Sequence, residues 1–476
     1  MKKKSLTILF FFLFFYILAS SGHFYSADEV ISYRVTMSIL ENAKIDVKPD
    51  GDWSYGVGKL GNDNKFYSKY GIGYSLAAIP FCLIGKAVSN LYPQEKKEPI
   101  SQFFFAMLSP FVTALICFVI FLFAVNLGYS HEVSLSASLM YGFCTIAFPY
   151  AKFSNNVQLA SFLLLLSVYF VNYCKAFPSR AFLGIFLSGL FFSFGMITRP
   201  EIIILFPFLA FYAVLLLRRP VFNIKRAALF FLPIVLSIVF LGLYNYVRFG
   251  SFFSTGYADD ERFFLPSVKN ICGLLFSSGK SMFLYSPPFV LLFAAYFSFY
   301  KKHKSEAIVF SLMFLVLLFF VSGWHQWQGG YAWGPRLLIP IFPLLSIIIC
   351  EFLDKAFVSS GQYKWYKASI LFFFVTGFFV QIVAIITNST FFMLAVKNFN
   401  VPIDEVSFDP FFSPVLAQIK QFFLLFSSPA RITTDFWLAN SNFFPANIRI
   451  IFFFLCAIVV IILGFKILKS ISQEKN

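Results

Sequence analysis

The chain of 476 residues is 59% hydrophobic and only 13% charged, a balance that excludes a water-soluble domain, in which roughly a quarter of the residues carry charge. Its formal charge of +16 does not point to nucleic acid. The Lys and Arg stand in short clusters between apolar runs, such as Arg218 with Arg219 and Lys301 with Lys302, where they serve to orient a membrane protein. The 72 Phe residues match a lipid solvent, and the seven Cys lack the paired spacing of a disulfide framework or a metal knuckle.

Taken in chain order, Met1 to Gly22 has a basic start and an apolar run and reads as an uncleaved first helix. Apolar runs long enough to cross a bilayer are expected near 6–21, 71–89, 101–127, 132–149, 157–174, 181–197, 202–217, 227–247, 283–300, 306–322, 336–352, 368–387 and 448–465. The expected fold is thus an all-α polytopic membrane protein of about 12–14 transmembrane helices. Residues 22–70 and 389–447 are mixed polar and aromatic stretches, too rich in aromatics for linkers, and the charge pattern puts both outside, together with 249–282 and 323–335. Phe411 to Phe426 reads as an amphipathic piece lying on the membrane surface. Thirteen full spans would put the termini on opposite sides, whereas both carry cytoplasmic-type charges. One segment between 71 and 217 is therefore re-entrant or miscounted, and the region around Phe148 to Asn156 is the preferred place.

Several polar groups at the expected outer helix ends could carry chemistry. Asp28 and Glu29 open the first external loop; a carboxylate there acts either as a general base, its pKa lifted by desolvation and its neighbour, or as a helix cap. Lys69, in Tyr67-Ser68-Lys69-Tyr70-Gly71-Ile72-Gly73-Tyr74, breaks the positive-inside habit, so it is either a partner for a lipid phosphate or a snorkelling side chain. Thr198-Arg199-Pro200-Glu201 is either a self-satisfied ion pair or a ligand site. Tyr244 to Ser251 leads on to Thr255-Gly256-Tyr257. The richest stretch is Gly323 to Arg336, with Trp324, His325, Trp327 and Trp333 before Arg336. Indole faces stack on sugar rings and a guanidinium grips phosphate with two parallel hydrogen bonds; the alternative is an interfacial aromatic girdle with a snorkelling Arg. His325 has no second ligand at metal spacing, so no metal site is read there.

In this order the motifs resemble the GT-C superfamily, multi-span glycosyltransferases that include protein O-mannosyltransferases and the aminoarabinose transferase of lipid A. The resemblance rests on Asp28-Glu29, the 67–75 turn, Phe148-Pro149-Tyr150, Ile197 to Pro200, Tyr244 to Gly250, and Trp333-Gly334-Pro335-Arg336 before Ile339-Pro340-Ile341-Phe342-Pro343. It covers roughly 1–352, a transmembrane catalytic module that includes the external loop 22–70 with its juxtamembrane helices. Residues 353–476 match no known pattern, and a segment in that position normally selects the acceptor.

What the resemblance implies is transfer of a sugar from a polyprenyl-phosphate carrier to a lipid, glycan or protein acceptor. The expected place is the outer side of a bacterial plasma membrane. Asp28 becomes the base candidate with Glu29 beside it, and Lys69, Arg199 and Arg336 the candidates for the carrier phosphate. Tyr70, Tyr257, Trp324, His325 and Trp333 become candidates for the sugar pocket. No cofactor is implied, and dependence on a divalent metal stays open. The competing readings are a multi-span transporter or lipid flippase, which would place ionisable groups inside the spans, and a membrane scaffold, in which the outer polar motifs would not converge.

Overall fold

The computed structural model describes residues 2–216, 223–257, 261–358, 364–387, 392, 395–396, 398–427, 435–437 and 444–474. Arg218 and Arg219 and much of 389–447 lie outside them. Among the described residues, eight helices are long and apolar enough to cross a membrane. They are Gln94–Asn126, Asn156–Ala176, Pro178–Thr198, Ile224–Phe249, Lys304–Gly323, Arg336–Phe357, Lys364–Ile386 and Asn447–Ile467. Leu6–Ala19, Gly73–Ser89 and Pro200–Leu216 are shorter apolar helices. The protein is an all-α integral membrane protein, and these helices fall on eleven of the thirteen expected spans.

The other two expected spans are interrupted. His131–Cys144 stops short and is followed, after a turn, by the four-residue helix Ala147–Tyr150. The run at 283–300 splits into Met282–Tyr285, a tight turn at Pro287–Val290, and Leu291–Lys302. Pro287 and Pro288 supply no backbone N–H, which ends one helix and starts the next.

The chain divides into two compact units, each assembled from separate stretches. The loop unit comprises Gly22–Ser109 and Phe153–Arg262. Its segment 22–70 folds as the helix Ala27–Asn42 and a three-stranded antiparallel sheet, β1 (Asp46–Val47), β2 (Gly58–Leu60) and β3 (Phe66–Ser68), in the order β1-β3-β2. Tyr67 of the central strand pairs with Asp46 on one side and Lys59 on the other. Ile31, Val57 and Phe66 form a small core between helix and sheet, with Tyr70 packed against it. Arg248 anchors this layer: its guanidinium donates to the Ser68 carbonyl at 2.6 Å and to Asn245 Oδ1 at 2.7 Å, and lies 3.7 Å from the centre of the Tyr244 ring. A desolvated cation stacked on an aromatic face contributes about 2 kcal/mol. The Tyr244 to Gly250 motif therefore has a structural task, holding the three-stranded sheet. Behind it, Asn156–Ala176 packs on Ala181–Thr198, where Ser167 and Ser188 exchange hydrogen bonds through hydroxyls and carbonyls.

The bundle unit comprises Met1–Ser21, Pro110–Lys152 and Phe263–Asn476. The first helix packs along Ala446–Glu474, and Phe12, Tyr16, Phe143 and Phe148 interlock, with the Tyr16 hydroxyl donating to the Gly142 carbonyl at 2.9 Å. Lys152, two residues beyond the Ala147–Tyr150 helix, is 2% exposed and binds Asp435 Oδ2 at 2.8 Å and the Ile385 carbonyl at 2.8 Å. Trp437, next in that strap, donates from its indole to the Ile17 carbonyl. The last carbonyls of two apolar helices, which have no partner inside their own helices, are thus satisfied by a distant segment.

Candidate active site

The loop unit brings together six of the residues singled out from sequence. β3 runs directly into Lys69 and Tyr70, and the Lys69 amide is held by the Val57 carbonyl at 3.0 Å. Two glycines admit close neighbours. A Cβ on Gly73 would come within 2.2 Å of the Thr198 hydroxyl, and one on Gly256 within 2.3 Å of Lys69 Cα. Gly73 meets Thr198 and Gly256 meets Lys69 because those two positions carry no side chain.

The two carboxylates of the first loop part company. Ser26 is the N-cap of Ala27–Asn42, and Glu29, three residues on, reaches back so that its Oε1 accepts from the Ser26 hydroxyl at 3.1 Å and from the Tyr25 amide at 3.4 Å. The Ser26 hydroxyl thus donates to Glu29 and makes no cap hydrogen bond to the first-turn amides. Glu29 is fully buried, and desolvation pushes its pKa up to about 8 against hydrogen bonds from Ser154, Ser26 and Tyr25, with the charge of Asp28 adding to the rise. At neutral pH it is mostly a neutral acid. Asp28 points elsewhere: its Oδ1 accepts a 2.6 Å hydrogen bond from the Tyr70 hydroxyl, and it is half-buried. Glu29 is thus taken up by Tyr25 and Ser26, and Asp28 is the carboxylate held by the returning turn.

Lys69 and Arg199 each hold a carboxylate already. Lys69 Nζ is 2.6 Å from Glu261 Oε1, with both side chains little exposed, and 5.2 Å from the centre of the Tyr257 ring. Arg199 Nε donates to Glu201 Oε1 at 2.6 Å, and a second guanidinium nitrogen reaches Asn156 Oδ1 at 3.4 Å. The pair inside Thr198 to Glu201 is therefore made. Tyr257 sits among these groups. Its phenol is held well above the ordinary value, first by burial and then by Glu201, Glu261 and Asp28, while Arg199 works in the opposite sense. The cluster carries three carboxylates, Asp28, Glu201 and Glu261, against the two cations Lys69 and Arg199. It suits proton acceptance better than anion capture.

Trp324, His325, Trp333 and Arg336 belong to the bundle unit. Trp324 packs on Phe263, ring centres 4.6 Å apart, and on His325. Trp333 is enclosed: its indole donates to Gln381 Oε1 at 3.3 Å, its ring meets Tyr285 edge-on, and its carbonyl accepts from the Tyr150 hydroxyl at 3.0 Å. The loop between these residues turns through left-handed Gly329, Gly330 and Gly334, and Arg336 begins the tight helical turn Arg336–Ile341.

Two largely buried polar residues, one in each unit, went unmarked in the sequence. Glu261 has no local signal, because its partner lies 192 residues away. Lys280 is a basic residue in a stretch expected outside, the same anomaly that marked Lys69. The structure buries it to 1% exposure, with Nζ donating to the Gly330 carbonyl at 2.7 Å and the Ala332 carbonyl at 2.6 Å.

No protein-family model and no curated protein matches this sequence. Among solved structures, the chain is similar to ArnT from Cupriavidus metallidurans bound to undecaprenyl phosphate. That alignment has 10% identity and a TM-score of 0.48, and covers 87% of this chain and 75% of ArnT. Against ArnT in the apo state the values are 10% and 0.45, with coverage of 86% and 73%.

Proposed function

We propose that this protein is a membrane glycosyltransferase of the GT-C type, moving a sugar from a polyprenyl-phosphate carrier to an acceptor hydroxyl on the non-cytoplasmic face. The observation that carries the reading is the Asp28 carboxylate, fixed by the Tyr70 hydroxyl at 2.6 Å among Lys69, Tyr257, Glu201 and Glu261. A base for an incoming hydroxyl needs that combination of a fixed oxygen and partial burial. In the step itself the acceptor oxygen bonds to the anomeric carbon and the bond from that carbon to phosphate oxygen breaks. The hydroxyl proton passes to Asp28, and the electron pair leaves with the phosphate, whose developing charge needs cations.

Six of the residues that the family resemblance selects, far apart in sequence, meet in one unit, and this convergence supports an enzyme over a scaffold. The test is Asp28→Asn in purified protein, with thermal stability and turnover of a polyprenyl-phosphate sugar measured side by side. Asn preserves the shape and accepts the Tyr70 hydrogen bond, so the expected result is an unchanged melting temperature with turnover reduced about 10²- to 10⁴-fold. A stable variant that retains full turnover would remove Asp28 from the reaction.

A further inference from the structure

The nine-residue helix Val268–Phe276 is too short to span a membrane, yet it carries a continuous apolar stripe on its outward side. Val268, Cys272 and Phe276 recur every fourth residue and so share one face, and Leu265 stands just before them. All four are exposed, Leu265 at 90% and Val268 at 77%. The opposite face is seated in the protein. Leu274 is buried, and a Cβ on Gly273 would come within 2.4 Å of the Trp327 ring. Asn270 donates to the Ser322 carbonyl at 2.8 Å, at the end of Lys304–Gly323, and Lys269 pairs with Asp404. The stripe does not end with the helix. Phe276 stacks on Phe283 with ring centres 5.6 Å apart, Phe283 packs on Phe293 at 5.4 Å, and exposed Phe297 follows one turn along Leu291–Lys302. On the other side Phe263 packs on Phe320 at 4.6 Å, next to the exposed Leu315 and Phe319 of Lys304–Gly323.

The exposed apolar flanks of two bundle helices therefore run on into Val268–Phe276, and one solvent suits the whole surface. Lys304–Gly323 is long and apolar enough to cross the membrane, so that solvent is lipid. We propose that Val268–Phe276 is an interfacial helix whose stripe of Leu265, Val268, Cys272 and Phe276 lies among the lipid chains at the bilayer surface, with Lys269 at its headgroup edge. An amphipathic helix that lies in the interface has this division of faces. Its other face holds the Trp327 side of the glycine loop that ends at Arg336 at the same depth, since Gly273 admits the indole. Part of the 249–282 stretch, expected outside, thereby enters the surface layer of the membrane. The placement is independent of the proposed reaction.

Cys272 is exposed and the other cysteines are buried, so the unaltered sequence supplies the probe. The test is electron paramagnetic resonance of a nitroxide attached to Cys272 in the full chain, reconstituted in phosphatidylcholine vesicles. Collisions with oxygen, which concentrates in lipid, are compared with those of a water-soluble nickel chelate. A Cys272→Ser sample shows which signal belongs to that site. The expected result is a label that oxygen reaches more readily than the chelate does, about 5–10 Å below the headgroup level. A label reached mainly by the chelate puts the stripe in water and overturns the proposal. One shielded from both, or a Cys272 that takes up no label, means that protein covers the stripe, a second copy or another chain, and overturns the lipid assignment as well.

Discussion

The two polar regions use their cations in opposite ways. In the loop unit Lys69 and Arg199 each face a carboxylate, Glu261 and Glu201, and the cluster as a whole is rich in acid. In the bundle unit Lys280 is clamped by two neutral carbonyls, those of Gly330 and Ala332. A cation with a resident counter-ion is electrostatically satisfied and must give up a partner before it receives a phosphate. One held by neutral carbonyls serves instead to fix the loop that offers them. The difference shows that a basic residue near a membrane surface is not a phosphate ligand by virtue of its charge, because what it already touches decides.

Tyr70→Phe gives the largest effect expected from the loop unit after loss of the base itself. Removing the 2.6 Å hydrogen bond leaves Asp28 in place without its anchor, and a hydrogen bond to a charged group is worth about 1.5–3 kcal/mol. Turnover should fall roughly 10- to 100-fold while affinity for the lipid stays the same. A fall in affinity with unchanged turnover would move Tyr70 from the base to the carrier.

Glu261→Gln tests the contrast directly. If Lys69 serves only the acidic cluster, affinity for undecaprenyl phosphate should change by no more than about twofold, within the range of a side chain that does not touch the ligand. A tenfold gain would mean that Glu261 had been shielding a phosphate-binding lysine, and the division between the two regions would fail.

The smallest effect concerns Glu29. A carboxyl whose folded pKa is raised to about 8 binds a proton in the folded state that the unfolded chain has lost above its own value near 4.5. Stability from this group is therefore fully present below about pH 4.5 and declines as pH rises toward 8, where the folded form also loses the proton. Glu29→Gln mimics the neutral acid. Its melting temperature should match wild type near pH 5 and exceed it at pH 8, by an amount seen in thermal scans across that range; parallel curves would show that Glu29 is ionised in the fold.

Much of the frame is written locally. The apolar runs place the long helices, and Asp28 and Glu29 stand in the first turn of the helix that follows the first span. His131–Cys144 ends early, and Ala147–Tyr150 is a single helical turn that overlaps the Phe148 to Asn156 region, the preferred place for an irregularity. The Arg199–Glu201 pair needed only two residues of separation to be foreseen as one of two alternatives, and the structure shows the pair formed. Trp333 was read for its indole face. Tyr285 and Gln381, 48 residues away in each direction, enclose that face, and no local pattern announces either contact.

By itself the sequence determined that this is a polytopic membrane protein, where its helices run, and which exposed-side motifs break the habits of such proteins. Those properties follow from transfer of short segments between water and lipid, which depends on composition within a turn or two of helix. Only the tertiary structure decided that Asp28 and not Glu29 is the oriented carboxylate, that Lys69 belongs to Glu261, and that Lys280 is held by the carbonyls of Gly330 and Ala332. Each of these is a matter of charge taken out of water next to a partner that is remote in the chain. The energy of such a group depends on burial and on distances of a few ångströms, neither of which residue order alone specifies.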